Sequence, residues 1–200
     1  MSGVHARLAR RYRAGKAQPE QLWEDPRLTG GESFRPAAVL IAVTERAAPG
    51  VLLIHRPSHM RAHPGQIAFP GGSLDPGEDA ERAALREAEE ELGIDPARVR
   101  VIGPADRYHS GSGFAITPVL ATVPADIAIT PNPAEVAQWF EAPLDHVLDP
   151  ANQVQQWIDY EGVRHPFIEI VWREHRIWGV TAAILYNLAR RLGGHDAAAA

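Results

Sequence analysis

The segment from Gly71 to Ile94 reads GGSLDPGEDAERAALREAEEELGI, and its glutamates are badly placed for an ordinary solvated helix. At about 100° per residue, Ala80, Ala83, Ala84, Ala88 and Leu92 form one apolar stripe, the side a helix packs against its protein. Arg82, Arg86 and Glu89 fall on the far side. Glu87 and Glu91 fall inside the stripe and Glu90 at its margin, so the three share an arc of about 100°. Like charges three and four residues apart repel. Carboxylates turned toward a protein body persist only when something neutralises them. A hard divalent cation held by oxygen ligands does this, and magnesium or manganese suits an all-oxygen set. The chemistry on offer is metal-assisted, with Glu87 and Glu91 as the principal ligands, one helical turn apart.

Both ends of this unit are punctuated. Phe69-Pro70-Gly71-Gly72 stops a strand and allows close backbone approach. Asp75-Pro76-Gly77-Glu78 is turn chemistry that can open a helix, and Gly93 suits the left-handed residue just past a helix end. Upstream, Arg56, Arg61 and His63 crowd a segment that also holds Pro57 and Pro64. The arginine fork matches phosphate oxygens. Two such residues beside a metal-holding loop would suit a diphosphate carrying a further phosphate, while their other reading is solvated loop charge.

Gly72, Glu78, Arg86-Glu87, Ala88, Glu90-Glu91, Gly93 and Ile94 stand at the spacings of the Nudix box, and the chain resembles that family; only Ala88 is small for its apolar slot. The stretch before the box is similar to the signature of the coenzyme A pyrophosphatase branch. Leu52, Leu53, Arg56, Arg61, Gly65, Phe69, Pro70, Gly71 and Gly72 fall in register, while Ile54 and Pro57 depart from the pattern. Ile177-Trp178-Gly179 with Thr181-Ala182 also looks like this branch. The two motifs span Leu52 to Ile94.

The resemblance implies an α/β Nudix fold, an α/β/α sandwich around a mixed sheet. It also implies attack of water on the diphosphate of coenzyme A or its thioesters, giving 4′-phosphopantetheine or its acyl form and adenosine 3′,5′-bisphosphate. Glu87, Glu91 and the Gly72 carbonyl would hold Mg2+ or Mn2+. Glu90 is either a third ligand or the base for the attacking water. Arg86 would act in catalysis by fixing a carboxylate, and Glu78 would tie the loop to the helix start. Arg56, Arg61, Gln66 and Gly71 would bind substrate. Some relatives take the base from a later loop, for which Glu135 in TPNPAEVAQWF is the candidate; its other reading is a surface glutamate at a helix start. Another nucleoside diphosphate derivative (ADP-ribose, NADH or a dinucleotide) and a non-catalytic nucleotide-sensing module are the competing functions.

The elements that must position these groups are readable in outline. A basic helix is expected from His5 to about Ala14, then a connector from Gln18 to Ser33. Strands are expected at Arg35–Thr44, Val51–His55, Gln66–Phe69, Val99–Ile102 and Phe114–Val123, the last placed at an edge or bulged by Pro118. The box helix should run from about Asp79 to Leu92. Another element is expected to open at Val136–Phe140, Leu144–Val147 suggests a short helix, and Val154–Tyr160 with Pro166–Val171 suggests a strand pair. Val180, Ile184, Leu188 and Leu192 mark a last helix, capped by Thr181 and ended by Gly193-Gly194. One domain is expected over residues 35–194, with 1–34 part of it and a disordered tail over 195–200.

Composition narrows the rest. The 200 residues carry a net charge of −5, include no cysteine, and are 45% hydrophobic. A disulfide framework and thiolate metal sites are excluded. The charge argues against nucleic acid, and no stretch has the length of a membrane span. The basic N-terminus lacks the apolar core of a secretory signal, so a cytoplasmic location is expected. The partners expected are a small-molecule nucleotide and, in a homodimer, a second copy of the chain.

Overall fold

The computed structural model describes residues 3–18, 20–57, 65–160 and 162–193. The chain opens with helix α1 (Val4–Lys16), whose buried stripe is Val4, Leu8, Ala9 and Tyr12. Strands β1 (Arg35–Thr44), β2 (Gly50–His55), β3 (Ile67–Ala68) and β4 (Gly71–Ser73) precede helix α2 (Ala80–Leu92). Strands β5 (Arg100–Pro104), β6 (Tyr108–Ser110), β7 (Phe114–Val123) and β8 (Gln138–Pro143) follow, then the short helix α3 (Leu144–Leu148). Strands β9 (Val154–Tyr160), β10 (Val163–Trp172) and β11 (His175–Trp178) lead into helix α4 (Val180–Arg191).

Strands β1 to β8 form one sheet. Its centre is a parallel pair, β1 with β7, in register over the whole of both strands from Arg35 opposite Phe114 to Thr44 opposite Val123. The remaining pairs in the sheet are antiparallel. A parallel pair needs both faces covered, and β1 shows this in its alternation. Ala37, Ile41 and Val43 enter a core shared with α1, α3 and α4, whereas Ala38, Leu40 and Ala42 enter a second core filled by Ala83, Ala84, Ala88 and Leu92 of α2. The result is the expected α/β/α sandwich around a mixed sheet. Strands β9, β10 and β11 form a separate antiparallel sheet, which joins the first core through Ile168, Ile170 and Ile177. The connector after α1 is anchored by Asn187 on α4. The Trp23 N–H donates to Asn187 Oδ1 at 2.7 Å, and Asn187 Nδ2 donates to the Trp23 carbonyl at 3.0 Å.

Several local expectations are corrected. Pro118 marks neither an edge strand nor a bulge in β7. It falls where the neighbour of β7 changes from β6, last paired at Ile116, to β5, first paired at Val119, so its missing N–H removes no ladder bond. The irregularity lies in β5, between Val101 and Gly103. Thr181 does not cap α4: Gly179 occupies that position, and the buried Thr181 hydroxyl donates to the Ile67 carbonyl at 2.9 Å. No helix starts at Glu135; a turn leads directly into β8. Strands β4, β6 and β11 were not foreseen. The expected tail at 195–200 and Gly194 lie outside the described residues.

Candidate active site

Helix α2 begins on Asp79, whose side chain accepts from the Arg82 N–H, and ends on Gly93 in the left-handed conformation at φ 65°. These two stops set the ends of the helix, and the packing of Ala83, Ala84, Ala88 and Leu92 in the second core sets its rotation and so which acids face inward. Glu91 is buried at 3% exposure. The Glu87 side chain is 14% exposed and that of Glu90 is 50% exposed.

Strand β4 brings backbone to these acids. Gly71 N–H donates to Glu91 Oε2 at 3.0 Å. A side chain at Gly72 would collide with the Glu87 carboxylate, and one at Gly71 would collide with the backbone of β1, so both glycines are there for close approach. Burial pushes Glu91 up to about 8, and neighbouring Glu87 adds to the rise; the Gly71 N–H and Arg56 oppose it. Glu87 is also raised, first by burial, against the pull of Arg86.

Arg86 lies on the outward side of the helix by angle, yet its long side chain folds back over the acids. It reaches Glu78 Oε1 at 3.0 Å, Glu87 Oε1 at 2.9 Å and Glu90 Oε2 at 3.2 Å, and donates to the Ser73 carbonyl at 3.2 Å. Glu78 also accepts from the Asp75 N–H at 3.0 Å, which closes the turn before the helix. Bonds to Glu78, with those to Glu87, hold the Arg86 pKa well above the ordinary arginine value.

The loop after β7 is stitched to the end of α2. Thr130 N–H donates to the Leu92 carbonyl at 2.8 Å and Asn132 N–H to the Glu91 carbonyl at 2.9 Å. Glu135 is thereby held half-buried near the box acids, its Oε1 accepting from Asn132 Nδ2 at 3.2 Å. On the other side, β2 delivers Arg56. The preceding residue, His55, places Nε2 at 3.0 Å from Nδ1 of buried His175, which itself stacks on Phe140 with ring centroids 3.7 Å apart. Burial, and then His175, hold His55 below the ordinary histidine value. Arg56 Nε is buried without a hydrogen-bond partner among the described residues.

One cavity of about 360 Å³ gathers Glu87, Glu91, Glu135, Arg56, Gln66, Gly71 and Gly72 on its wall. Arg86 and Glu90 do not line it. Arg61 and His63 lie outside the described residues. The remaining wall is largely apolar and includes Phe69, Phe114, Ile116, Trp178 and Ile184. These residues come from elements far apart in the chain; Phe69 and Trp178 stand in the stretches that resemble the branch, whereas Phe114, Ile116 and Ile184 carry no local signal and in sequence read as core. Ser112, from the turn between β6 and β7, also borders the cavity.

The donor set is suited to a hard cation. Glu91 presents buried oxygens and Glu87 half-buried ones, and among the described residues Glu91 has no cationic hydrogen-bond partner. Among the described residues, no three acidic or imidazole side chains are already drawn together as a ligand set. Arg86 holds Glu90 to one side and shares the Glu87 carboxylate.

Comparisons with known proteins agree with this arrangement. The NUDIX domain family model matches residues 34–165. The chain is 43% identical over 162 residues to the uncharacterized Nudix hydrolase NudL of Enterobacter sp. (strain 638), covering 80% of this chain and 83% of that protein. It is 42% identical over 160 residues to the NudL protein of Yersinia pestis (strain Pestoides F), covering 79% and 80% respectively. A crystal structure of a Nudix hydrolase from M. smegmatis, RenU, shares the fold with a TM-score of 0.50 and 24% identity, over 64% of this chain and 83% of that one. With the box acids on one helix, a cavity against them and relatives of this kind, the chain belongs to the Nudix family and is a Nudix hydrolase.

Proposed function

We propose that this hydrolase cleaves the diphosphate of coenzyme A or an acyl-coenzyme A, releasing 4′-phosphopantetheine or its acyl form and adenosine 3′,5′-bisphosphate. The observation that carries the reading is the meeting, on one cavity wall, of the buried Glu91 and half-buried Glu87 carboxylates with Arg56, whose buried Nε lacks a partner among the described residues. A diphosphate answers both: its oxygens would accept from the guanidinium, and the divalent cation that accompanies it would neutralise the acids. The branch signature through Arg56, Arg61, Gly65 and Phe69 supports coenzyme A over other nucleoside diphosphates.

Nudix hydrolases generally use divalent metal ions. Here Glu87, Glu91 and the Gly72 carbonyl would hold Mg2+ or Mn2+, which when bound neutralises phosphate charge and makes water a better nucleophile. The chain's own groups do the rest. Arg56 orients the diphosphate, and Gln66 and Gly71 line its approach. Arg86, clamped by Glu78, is a positioning residue that holds the Glu87 and Glu90 carboxylates in place. Glu90, if released from Arg86, either joins the ligands or takes the proton of the attacking water; Glu135, already on the wall, is the other base.

The substrate reading is tested by product identification with coenzyme A, ADP-ribose and NADH side by side, with magnesium and with chelator. Coenzyme A should have the highest kcat/KM, with adenosine 3′,5′-bisphosphate formed only in the presence of metal. Arg56→Ala should lower that value by at least about tenfold, as expected for loss of a charge-assisted bond. Preference for ADP-ribose or NADH would replace the coenzyme A reading.

The base is separated by Glu90→Gln and Glu135→Gln. Loss of general-base help lowers turnover by about 10²–10⁴-fold. The variant with that loss and a metal affinity near wild type identifies the base. A change confined to the metal requirement identifies a ligand.

A further inference from the structure

The exposed large hydrophobic side chains of the described residues are confined to one hairpin. They are Val154, Trp157, Ile158 and Tyr160 on β9 and Val163 and Val171 on β10. By strand alternation Val154, Ile158, Tyr160, Val163 and Val171 lie on one face of the hairpin and Trp157 on the other, so both faces of the outer strand expose large apolar side chains, which monomeric proteins rarely leave clustered and uncovered. Strand β9 is the outer strand of its sheet and is exposed along its whole length; among the described residues it pairs only with β10. Its sequence, VQQWIDY, has none of the usual protections of a free edge: no lysine, no proline and a single charge, Asp159.

We infer that β9 pairs with β9 of a second copy of this chain, antiparallel across a twofold axis at Trp157, so that the two three-stranded sheets become one. A row of free backbone N–H and C=O groups calls for another strand, which a lipid surface does not supply. The strand is complementary to itself in this register. In a shared sheet, residues on the same face must oppose each other, which restricts the twofold to a residue rather than a gap between residues. Centred on Trp157, Val154 meets Tyr160 of the second copy, Gln155 meets Asp159, Gln156 meets Ile158, and Trp157 meets its own symmetry mate. Asp159 then faces a side-chain amide and never a like charge. Moving the centre to Ile158 would set Asp159 against Trp157, and moving it to Gln156 would carry Asp159 past the start of the strand. The catalytic cavity remains open, since the strand that reaches it, β11 through Trp178, is at the opposite edge of the same sheet.

The absence of cysteine gives a clean test. Residues directly opposed in an antiparallel pair have Cα atoms within disulfide reach. Trp157→Cys should therefore oxidise to a covalent dimer. Gln155→Cys, four residues out of register with its own mate, should not, whereas Gln155→Cys combined with Asp159→Cys should. By sedimentation velocity at micromolar concentration the full wild-type chain should have twice the 21.8 kDa of one copy. Trp157→Lys should run as a monomer with unchanged turnover, since its like charges meet on the axis. A monomeric wild type, a dimeric Trp157→Lys, or a Gln155→Cys that cross-links as readily as Trp157→Cys would each overturn the inference. These readouts do not depend on which diphosphate is cut.

Discussion

Glu91→Gln is expected to lower turnover of the diphosphate substrate by about a thousandfold at saturating magnesium. Metal-borne neutralisation of phosphate charge is worth several kcal/mol in the transition state, and each 1.36 kcal/mol is tenfold in rate. Glutamine keeps the size and one oxygen of the side chain, so the Gly71 N–H at 3.0 Å retains its acceptor and the fold is undisturbed. What disappears is the charge of a group that is 3% exposed and faces the cavity. Glu89→Gln is the matched control: it removes a glutamate from the same helix, but an exposed one, and should leave turnover within about twofold, as surface changes usually do. Initial rates over a magnesium titration decide the matter. A Glu91→Gln enzyme within tenfold of wild type would show that Glu91 is not a ligand of an essential cation.

The contrast between Glu91 and Glu89 was legible in the sequence because a helix has a fixed period. Once Ala83, Ala84, Ala88 and Leu92 define the packed side, the facing of each glutamate follows, and the structure buries Glu91 while leaving Glu89 exposed. Strand Arg35–Thr44 was legible because it is a continuous apolar run, as a strand covered on both faces must be, whereas the α/β/α sandwich was expected from the family resemblance. Failures came where tertiary context outweighed local pattern. Pro118 looked like an edge signal, but a strand with two successive neighbours on one side has a gap where a proline costs nothing. Strand β4 is three residues long and glycine-rich, and it forms because β1 offers an edge beside it. Glu135 could not be placed from its own surroundings, since its position depends on the bonds of Thr130 and Asn132 to the end of α2. The angle of Arg86 pointed it to solvent, but arginine is long enough for its charged end to return over Glu87 and Glu90. Of the apolar cavity wall, Phe69 and Trp178 stood in stretches that resemble the branch, while Phe114, Ile116 and Ile184 had no signature, being brought there by β7 and α4.

In the metal-free protein, the same Glu91→Gln substitution is expected to raise stability, most strongly above pH 8. Burial moves Glu91 to about 8 in the folded chain, against an ordinary carboxylate in the unfolded one. The folded state therefore binds this proton more tightly. Its contribution is fully present below the unfolded value, near pH 4.5, and is lost as pH rises through about 8. The loss across that window is roughly 3–5 kcal/mol, since one pKa unit corresponds to 1.36 kcal/mol. Glu87, raised in the same direction, adds to the slope. Asp25 works against it: the bonds from Arg27 and from the Gly111 N–H outweigh its burial and lower its pKa, so its contribution is present above the ordinary carboxylate range and lost in acid. Glutamine at 91 has no proton to lose, and thermal unfolding in chelator should show a variant that melts several degrees above wild type at pH 8.5 and converges on it near pH 5. Magnesium should then reverse the order. A cation that binds only the folded state stabilises it by mass action, and it should raise the wild-type Tm while leaving the variant nearly unmoved. The exposed Glu89→Gln protein should follow wild type throughout. If the melting profiles of Glu91→Gln and wild type stay parallel with pH and respond equally to magnesium, Glu91 is already compensated within the protein, and the cost that a bound cation would relieve does not exist.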